Sequence, residues 1–595
     1  MTEIRSVLVA NRGEIARRVF RTCREQGIRS IAVFTDLDAD ALHVRDADVA
    51  VRVSSYLDAA AVLEAARSAG ADAIHPGYGF LSENTAFARA VTDAGITWIG
   101  PSPEVIEQMG RKDAARDIAV AAGVPVVPSY SLDDDPATFA YPVLAKAAAG
   151  GGGKGMRVVR SAEELPEAVA AAKREALSAF GDDAMLIEKY VERGRHIEVQ
   201  VLGDGATVHH FGTRECSVQR RHQKVIEEAP APGLSDELRE RIHAAAVALG
   251  EAVSYTNAGT VEFLLDAGTD DFYFLEMNTR LQVEHPVTEI VNGVDLVALQ
   301  LAVAAGGRIP GGSTVSGCAM EARVYAEDAF GGFLPQAGRA TTVSWPDSAR
   351  VDHALASGQV VSTSYDPMLG KVIVTGRDRE EARHRLVAAL DETAILGLTT
   401  NTGFLRALAA SEEFARPGGI DTAWLDRNEV PAPDSAPARE IAARLWLDAH
   451  REHAGPFAGD GFRMGGPAEP AVVDLDEPAT PAASVPSGLV SRVTDHEVEL
   501  ALHGQRYVFV RPDASTDHGT GAADGTIVSP MPGTVLDVRV APGDAVSEGQ
   551  VLGVVEAMKM ELALKAPYDG VVTEVGAAVA QQVALGATLF VVEPA

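Results

Sequence analysis

A short internal repeat close to the C-terminus restricts the fold of this chain more than any other feature. Residues 533 to 556 and 569 to 593 share one pattern at an offset of 37 positions. The matched pairs are Gly533 and Gly570, Val538 and Val575, Val546 and Val583, Gly549 and Gly586, Leu552 and Leu589, and Glu556 and Glu593. Both copies alternate valine with polar residues and carry glycine at turns, which predicts two related sheets that close a small β-sandwich.

One lysine occupies the link between the two copies. Lys559 lies between Met558 and Met560, so the sandwich would present it at an exposed turn. Most lysines are ordinary surface residues. A Met-Lys-Met sequence between two quasi-symmetric halves instead favours a carrier lysine, a side chain to which another group is covalently attached.

The size and charge of the chain limit the classes of protein to which it can belong. At 595 residues it is too long for one hydrophobic core, and several domains are expected. The formal net charge of −32 disfavours a nucleic-acid partner, because phosphate binding depends on clustered Lys and Arg. Three scattered cysteines argue for a reducing compartment. The sequence shows neither a signal-peptide pattern nor a membrane-length apolar run, so we expect a cytoplasmic protein with no membrane partner.

The first hundred residues show a strand, helix, strand pattern. An apolar run at residues 4 to 10 leads through Asn11-Arg12-Gly13-Glu14 into a helix-spaced segment and a second apolar run, which predicts a parallel, doubly wound sheet. The turn lacks GxGxxG, so it does not support a dinucleotide site. The loop HPGYGFLSEN (75 to 84) follows a predicted strand, where loops line a ligand crevice. Glu83 in this loop fits a ligand-facing role and a turn or capping role equally well.

A glycine-rich loop and a basic cluster mark the next region as an anion-binding one. Lys146 ends an apolar strand that runs into Gly150 to Gly155, a loop whose backbone N–H groups can approach phosphate oxygens closely. The loop does not fit GxxxxGK[ST], which excludes a P-loop. Arg220, Arg221, His222 and Lys224 form a basic cluster further along. In an acidic chain this cluster favours anion binding over a solvated face.

Polar residues alternate with mostly apolar ones in the segment that ends at position 284. The polar residues are Glu276, Asn278, Arg280, Gln282 and Glu284. An extended segment would place all five on one face, which would line a polar cavity because it cannot pack in an apolar core. Glu262, Glu276 and Asn278 offer the hard oxygen ligands of a Mg²⁺ site that also holds nucleotide phosphates. A hydrogen-bonded strand pair is the alternative.

The remaining regions divide by composition. Residues 319 to 445 return to a mixed α/β pattern with two predicted helices, REEARHRLVAAL and TNTGFLRALA. Between about 450 and 487 the chain becomes rich in Gly, Pro, Ala and Asp, which is typical of an exposed connection. Residues 489 to 512 alternate like two or three strands with a turn at His503-Gly504. Residues 513 to 525 are predicted to be a flexible tether.

Six motifs in order resemble biotin carboxylase, an ATP-grasp enzyme, over about residues 1 to 445. They are ANRGEIA, HPGYGFLSEN, GGGGKGM, QRRHQKV, EMNTRLQVEHPVTE and YDPMLGK. EAMKM inside the repeat resembles the biotinyl (biotin carboxyl carrier) domain, and GFRMGG with the strands after it resembles a shortened subunit-docking segment. Together they are similar to the α subunit of a biotin-dependent acyl-CoA carboxylase of actinobacterial type.

The resemblance implies an α/β and α+β multidomain chain, in which an ATP-grasp biotin carboxylase precedes a small β region and an all-β biotinyl domain. The implied domains are 1–110 (N-terminal α/β), 111–310 (ATP-grasp with glycine-rich flap), 311–445 (C-terminal carboxylase domain), 446–512 (connection with docking element), 513–525 (tether) and 526–595 (biotinyl).

The resemblance also implies roles for individual residues. ATP contacts would come from Lys112, Lys146, Gly152, Gly153, Glu188, Lys189, Tyr190, Val191, His196 and His222. Mg²⁺ or Mn²⁺ would be held by Glu262, Glu276 and Asn278, and bicarbonate by Lys224, Arg280 and Val283. Glu284 would be the general base for bicarbonate, Arg280 would orient it, and Arg323 would stabilise negative charge on biotin. Lys559 would carry the covalent biotin.

The implied reaction uses ATP and bicarbonate to carboxylate biotin on Lys559. A carboxyltransferase must then move the carboxyl group to an acyl-CoA, and the roughly 75 residues between the two recognised regions are too few for such a fold. A separate carboxyltransferase β subunit is therefore expected, which makes a hetero-oligomer, together with a biotin protein ligase as a transient partner. The identity of the acyl-CoA is not encoded in this chain.

Two other classes of function stay open at the level of sequence. An ATP-grasp ligase that joins a carboxylate to an amine would share the central motifs but would have no use for Lys559. A lipoyl-type carrier or interaction module would share the C-terminal repeat, although lipoyl domains more often present Asp-Lys than Met-Lys-Met. An intact mass without a biotin adduct would favour the carboxylate–amine ligase.

Overall fold

The computed structural model describes residues 3–147, 156–180, 185–220, 223–309, 314–450, 471–512, 525–557 and 560–594. The chain divides into two compact units. One comprises Met1–Glu321, Val374–Ala382 and Glu412–Glu429, and the other Ala322–Ile373, Arg383–Ser411 and Val430–Ala595.

The first unit begins with a parallel five-stranded sheet of order β3-β2-β1-β4-β5. Its elements are β1 Ser6–Val9, α1 Gly13–Glu25, β2 Arg29–Phe34, a 3-10 helix Asp36–Asp38, α2 Leu42–Asp46, β3 Val49–Arg52, α3 Ala59–Ser68, β4 Ala73–His75, α4 Thr85–Asp93, β5 Thr97–Trp98 and α5 Pro103–Gly110. The predicted parallel start is confirmed, because β1 pairs in parallel with both β2 and β4. Helix α1 buries Ile15, Val19 and Phe20 at helical spacing.

A four-stranded antiparallel sheet of order β6-β9-β7-β8 follows. Its elements are α6 Lys112–Ala121, β6 Ser129–Tyr130, a 3-10 helix Pro136–Thr138, β7 Val143–Ala147, β8 Met156–Val159, α7 Leu165–Phe180 and β9 Met185–Lys189. Strands β7 and β8 pair antiparallel, with Lys146 opposite Met156. These are the two strands predicted to flank the glycine-rich loop, and the loop itself, residues 148–155, lies outside the described residues.

Long antiparallel strands in the order β14-β13-β10-β11-β12 form the centre of the first unit. The elements are β10 Gly194–Asp204, β11 Val208–Arg220, β12 Gln223–Ala229, α8 Asp236–Ala252, β13 Thr256–Asp266, β14 Phe272–Asn278, α9 His285–Asn292 and α10 Leu296–Ala304. Ile197, Val199 and Val201 share a hydrophobic core with residues of α8. Because side chains alternate along a strand, the polar residues between them face the other side of the sheet.

The structure corrects the prediction that residues 276 to 284 are extended throughout. Strand β14 ends at Asn278, and α9 begins at His285 with Glu284 as its N-cap residue. Pro286 in the first turn of α9 suits a helix start. Only Glu276 and Asn278 of the five alternating polar residues therefore lie on the strand.

The helices of the described segments were also compared with the requirements of a membrane span. None of them is by itself long and apolar enough to cross a membrane. The pair α9 and α10 meets the length and composition requirement only together, and the two helices are bent by 93° at the break between them.

Residues 318 to 427 form short strands and helices, and the chain passes between the two units in this region. The elements are β15 Cys318–Tyr325, β16 Glu327–Asp328, β17 Leu334–Pro335, β18 Gly338–Arg339, β19 Thr342–Ser344, β20 Arg350–His353, β21 Val360–Val361, β22 Met368–Gly376, α11 Arg379–Glu392, β23 Ala394–Leu396, α12 Thr402–Ala410, α13 Glu412–Ala415 and α14 Trp424–Arg427. Helices α11 and α12 confirm the two helices predicted here.

In the described residues 436–450 and 471–512, a helix and five strands form a small domain. The elements are α15 Ala436–Ala449, β24 Val473–Asp474, β25 Pro478–Ala479, β26 Ser491–Val493, β27 Glu497–Leu502 and β28 Gln505–Val510. Strands β26 to β28 and the turn at His503-Gly504, where both residues have positive φ, confirm the predicted β element. The reading of 450 to 487 as an exposed connection is corrected in its described part, because Val473 and Leu475 share a core with Trp446 of α15.

The C-terminal β domain confirms the predicted sandwich. Its strands are β29 Thr526–Val528, β30 Gly533–Val538, β31 Ala545–Val546, β32 Val551–Ala557, β33 Met560–Lys565, β34 Gly570–Val575, β35 Gln582–Val583 and β36 Thr588–Pro594. The two sheets have the orders β29-β36-β34-β31 and β33-β32-β30-β35. Strands β30, β31 and β32 recur as β34, β35 and β36 at the sequence offset of 37, so the repeat is a structural one.

Candidate active site

A partly buried lysine joins three carboxylates on the polar face of the central sheet. Lys224 of β12 contacts Glu198 of β10, and its Nζ lies 3.3 Å from Glu262 Oε1 and 2.8 Å from Glu284 Oε1. Glu198 and Glu262 are register partners on β10 and β13. His196 Nε2 lies 2.8 Å from Glu262 Oε2. Residues far apart in sequence thus form one compact charged cluster.

The pKa values of this cluster follow from its burial and its charges. Burial alone would lower the pKa of the Lys224 ammonium, but the carboxylates of Glu198, Glu284 and Glu262 raise it well above its usual value. Burial would raise the pKa of Glu262, yet Lys224 and His196 hold it below the usual range. Burial raises the pKa of Glu198 above its usual value, although Lys224 opposes that change. The site therefore keeps Lys224 charged at neutral pH.

The structure brings together the three residues predicted to bind a metal. Glu262 and Glu276 are register partners on β13 and β14. Asn278 Nδ2 donates to Glu262 Oε1 at 2.7 Å and approaches Glu276 Oε1 at 3.4 Å. Two carboxylates and an amide therefore meet at the polar end of adjacent strands, a donor set that suits Mg²⁺ or Mn²⁺.

Arg280 lies in the turn after β14 and is held by two side chains. Its Nε donates to Glu83 Oε2 at 3.0 Å, and its Nη2 donates to Asn278 Oδ1 at 2.7 Å. Burial would lower the pKa of Arg280, but Glu83 raises it. These contacts decide between the two roles left open for Glu83. Glu83 pairs with Arg280, whereas the residue that caps α4 is Asn84, which accepts from Phe87 N at 2.8 Å.

The residues predicted to contact ATP are only partly brought together. Lys146 of β7 and Glu188 of β9 form an ion pair of 2.5 Å, and Lys189 Nζ lies 3.8 Å from Asp266 Oδ2. The backbone N–H of Tyr190 donates to Pro142 O at 2.8 Å, so the segment that ends in Val191 is tied to β7. Lys112 is an exposed residue at the start of α6.

The other predicted site residues fall elsewhere. Val283 is half-buried in the turn just before Glu284. Arg323 lies on β15 in the second unit, with 8% of its surface exposed, and its carbonyl accepts from Asn401 Nδ2 at 3.1 Å. Four residues lie outside the described part of the chain, namely Gly152, Gly153, His222 and Lys559.

Sequence reasoning did not select three residues that shape the cluster, Glu198, Arg214 and Gln282. Glu198 could have been found, because His196, Glu198 and Gln200 alternate with Ile197 and Val199 along β10. The sequence marks Gln282 only as one member of the polar alternation. Arg214 is completely buried, and its neighbours in the sequence carry no signal for that.

Comparison with protein families agrees with this site and fold. Residues 3–106 match the biotin carboxylase N-terminal domain, 111–311 the ATP-binding domain of the carbamoyl-phosphate synthase L chain, and 321–427 the biotin carboxylase C-terminal domain. Residues 525–592 match the family described as biotin-requiring enzyme. The ATP-grasp fold, the carboxylate and lysine cluster and the C-terminal β domain together define a biotin carboxylase with an attached biotin carrier.

Individual relatives extend the match to nearly the whole chain. The methylcrotonoyl-CoA carboxylase subunit alpha of Arabidopsis thaliana is 38% identical over an alignment of 697 positions. The alignment covers 99% of this chain and 94% of that protein. The propionyl-CoA carboxylase alpha chain of Caenorhabditis elegans is 39% identical, with coverage of 94% and 89%. This chain belongs to the family of biotin-dependent acyl-CoA carboxylase α subunits, and its activity is ATP-dependent biotin carboxylation.

A solved structure shows the same fold over the carboxylase part. It is the biotin carboxylase domain dimer of the Hydrogenobacter thermophilus 2-oxoglutarate carboxylase, in complex with MgADP, ADP and bicarbonate. It is 41% identical to this chain with a TM-score of 0.64, and it covers 72% of this chain and 98% of its own.

Proposed function

We propose that the cluster around Lys224 binds bicarbonate and the phosphate end of ATP, and that it activates bicarbonate for attack on the γ-phosphate. The observation that carries this proposal is the position of Lys224, whose ammonium contacts Glu198, Glu262 and Glu284 together. A charged lysine beside the proposed metal ligands is suited to hold an anion next to metal-bound phosphates.

The donor set supports a divalent metal at Glu262, Glu276 and Asn278. Glu276 is exposed, whereas Glu262 and Asn278 are buried, so the three oxygen donors lie where the sheet opens toward solvent. In the present arrangement the amide nitrogen of Asn278 faces Glu262, and its Oδ1 accepts from Arg280. A rotation of the amide by about 180° would offer Oδ1 to the metal, since the two amide atoms are assigned from hydrogen bonds. When bound, the metal would neutralise phosphate charge.

Arg280, Lys224 and the turn at Val283 are proposed to hold bicarbonate. The guanidinium of Arg280 provides a planar fork that matches a carboxylate-like anion. Glu284 is proposed as the base that takes the bicarbonate proton, and its Oε1 already accepts from Lys224 at 2.8 Å. The same lysine would then offset the charge that develops on the reacting anion.

The nucleotide is proposed to lie between the small sheet and the central sheet of the first unit. Lys146 and Lys112 would meet its phosphates together with Gly152, Gly153, His196 and His222, and Glu188 to Val191 would form the hinge beside the base. The ion pair between Lys146 and Glu188 supports this assignment, because it fixes a lysine at the end of the strand that enters the glycine-rich loop.

The carrier lysine is proposed to be Lys559. The paired residues Ala557 and Met560 belong to β32 and β33, and Met558 and Lys559 fall between them in the sequence. Biotin on Lys559 would supply the nitrogen that accepts the carboxyl group, and Arg323 is proposed to stabilise negative charge on it. The carrier domain is attached through residues 513–525, the predicted tether.

A carboxyltransferase β subunit is proposed as the partner, docked on the small domain of residues 436–512. This domain is firmly attached to the carboxylase residues before it, because Gly397 N donates to Glu499 Oε1 at 2.6 Å and Arg506 donates to Thr399 Oγ1 at 3.2 Å. Its edge strand β28 leaves Val508 and Val510 exposed. A sheet edge with exposed valines is suited to a protein interface. A cytoplasmic location stays a prediction.

The docking proposal is tested by a double substitution of Val508 and Val510 to Asp. We expect co-purification with the β subunit to weaken by about tenfold or more, because the substitutions would bury two unpaired carboxylates in the interface. Val360→Asp is the control, since Val360 is 61% exposed outside this domain. Equal binding by the double variant and the control would reject β28 as the docking edge.

The active-site proposal is tested by Arg280→Ala in the full chain. We expect bicarbonate-dependent ATP turnover to be lost while nucleotide binding stays nearly unchanged, because Arg280 touches Glu83 and Asn278 but none of the residues proposed to hold the base of the nucleotide. ATP turnover is measured with and without bicarbonate, and ADP binding by calorimetry. Normal bicarbonate-dependent turnover would remove Arg280 from the mechanism.

A further inference from the structure

Arg214 of β11 lies completely buried behind the charged cluster, with 0% of its surface exposed. Its guanidinium has five N–H donors, and each of them meets a different acceptor. The acceptors are Glu198 Oε2 at 2.9 Å, Gln200 Oε1 at 2.9 Å, Thr288 Oγ1 at 3.0 Å, Thr260 Oγ1 at 3.0 Å and Gln282 Oε1 at 2.5 Å. No donor of Arg214 is left to contact a substrate.

The acceptors belong to four different parts of the first unit. Glu198 and Gln200 lie on β10, Thr260 on β13, Gln282 in the turn after β14, and Thr288 on α9. One side chain therefore connects two neighbouring strands with the turn that carries Arg280 and Val283 and with the helix that Glu284 caps. A buried, fully hydrogen-bonded network of this kind holds its members in a single geometry.

We propose that Arg214 is a positioning residue for the bicarbonate site. It acts through Gln282, Glu198 and Thr288, and it does not touch the reacting groups. The inference rests on the proposed assignment of Lys224, Arg280, Val283 and Glu284 to bicarbonate.

Arg214 determines the orientation of the side-chain amide of Gln282. Because Arg214 donates to Gln282 Oε1, the amide nitrogen of Gln282 must point the other way, and it donates to Glu262 Oε1 at 2.7 Å. Gln282 directly precedes Val283, so its anchoring also fixes the start of the proposed bicarbonate turn.

Arg214 also fixes the position of Lys224, because both side chains hold Glu198. One carboxylate oxygen of Glu198 accepts from Arg214, and the other accepts from Lys224. Glu198 therefore lies between two cations, and its orientation sets where the ammonium of Lys224 is held. Without Arg214, Glu198 Oε2 would lose its charged partner and the carboxylate could turn, which would move the acceptor that holds Lys224.

The substitution Arg214→Lys tests the hydrogen-bond geometry of this side chain separately from its charge. Lysine keeps the positive charge but offers only three donors on a compact head, so at least two of the five acceptors would lose their partner. Arg195 provides a matched control on the same strand pair. It is also buried, and it donates to Glu215 Oε2 and to Pro232 O. Because side chains alternate along β10, Arg195 faces the side of the sheet opposite to Glu198.

The experiment compares Arg214→Lys with Arg195→Lys in the full biotinylated chain. Bicarbonate-dependent ATP turnover gives the KM for bicarbonate and kcat, and calorimetry without metal gives the Kd for ADP. We expect Arg214→Lys to raise the KM for bicarbonate about 10- to 100-fold, the range found when residues that orient a site are removed. The Kd for ADP should change less than about twofold, because Arg214 contacts none of the proposed nucleotide residues. Arg195→Lys should leave both constants unchanged.

Two results would contradict this inference. A rise in the KM for bicarbonate that is no larger for Arg214→Lys than for Arg195→Lys would overturn the inference. If Arg214→Lys does not fold, Thr288→Val removes one acceptor and keeps the charge, and an unchanged KM for bicarbonate in that variant would also overturn it. If the proposed function itself is wrong, Arg280→Ala retains bicarbonate-dependent ATP turnover. That result distinguishes failure of the proposed function from failure of the inference about Arg214.

Discussion

At the scale of single residues, the protein buries several ionisable side chains whose neighbours decide their charge. Lys224 stays charged because three carboxylates surround it, whereas His243 is buried without a carboxylate in hydrogen-bond contact. The ring of His243 stacks on that of His210 with centroids 4.0 Å apart, and Glu240 Oε1 lies 3.8 Å from its Nδ1. Burial, His210 and Arg239 lower the pKa of His243 from 6.5 to about 4.

This lowered pKa predicts acid sensitivity of the first unit. In the unfolded chain His243 takes up a proton near pH 6.5, but in the folded protein only near pH 4. The unfolded state therefore binds more protons between these values, so stability that is present above pH 6.5 is lost as the pH falls through this window. We expect His243→Leu to flatten the fall in urea stability between pH 6.5 and pH 4.

The control for this prediction is His209→Gln, a change at a partly exposed neighbour of the stacked pair. His43 and His75 are also buried with pKa values lowered to about 4, so the variant reduces the acid dependence without abolishing it. An identical pH dependence of the His243→Leu variant and the parent protein would contradict the assignment.

At the scale of elements, the segment from Glu276 to Glu284 has a local structure different from the predicted one, although several of its polar side chains still contact one another or the Lys224 cluster. All five polar residues were expected on one face of an extended strand, but the strand ends at Asn278. A turn and the start of α9 then direct Arg280, Gln282 and Glu284 into the same cluster. Pro286 lies in the first turn of α9, where its fixed φ and missing N–H suit the start of a helix.

The repeat of the C-terminal β domain makes a prediction about two equivalent glycines. A Cβ atom on Gly533 would lie 2.5 Å from Glu556 O, and one on Gly570 would lie 2.3 Å from Glu593 O. We expect Gly533→Val and Gly570→Val to destabilise the domain by similar amounts, about 1–3 kcal/mol, because each forces apart an equivalent strand pair, β30–β32 for Gly533 and β34–β36 for Gly570. Thermal unfolding followed by circular dichroism measures the effect.

Thr534→Val is the control for the glycine pair, since Thr534 already carries a β-branched side chain on the same strand. It should change the stability by less than about 0.5 kcal/mol. A large loss of stability for only one of the two glycine variants would show that the halves are not equivalent in packing.

At the scale of the whole molecule, the carrier has a core of its own. Met531, Leu552, Leu589 and Phe590 are buried together within the C-terminal β domain, and Leu334 of β17 packs against this core from the carboxylase part. The small domain before it is joined to the carboxylase part by hydrogen bonds of Glu499 and Arg506. Because the predicted tether lies between the two, we propose that the carrier domain moves as a body and that the docking surface stays with the carboxylase.

This division predicts the behaviour of a chain that ends at Pro512. We expect it to retain bicarbonate-dependent ATP turnover when free biotin is supplied, because the proposed active-site residues all precede that position. It should no longer bind streptavidin, and neither should full-length Lys559→Arg. Loss of turnover in a folded, shortened chain would show that the carrier domain completes the active site, and a biotin signal from Lys559→Arg would exclude Lys559 as the carrier.

The sequence by itself determined the C-terminal sandwich, the parallel start, the family and most of the proposed ligand-facing residues. These features depend on local signals, such as the offset of 37, the alternation along strands and motifs of a few residues. Only the tertiary structure decided that Glu83 pairs with Arg280, that Glu198 lies against Lys224 and that Arg214 holds Gln282. Those contacts join residues 26 to 197 positions apart, and a buried charge is recognisable only when the partners that compensate it are in place.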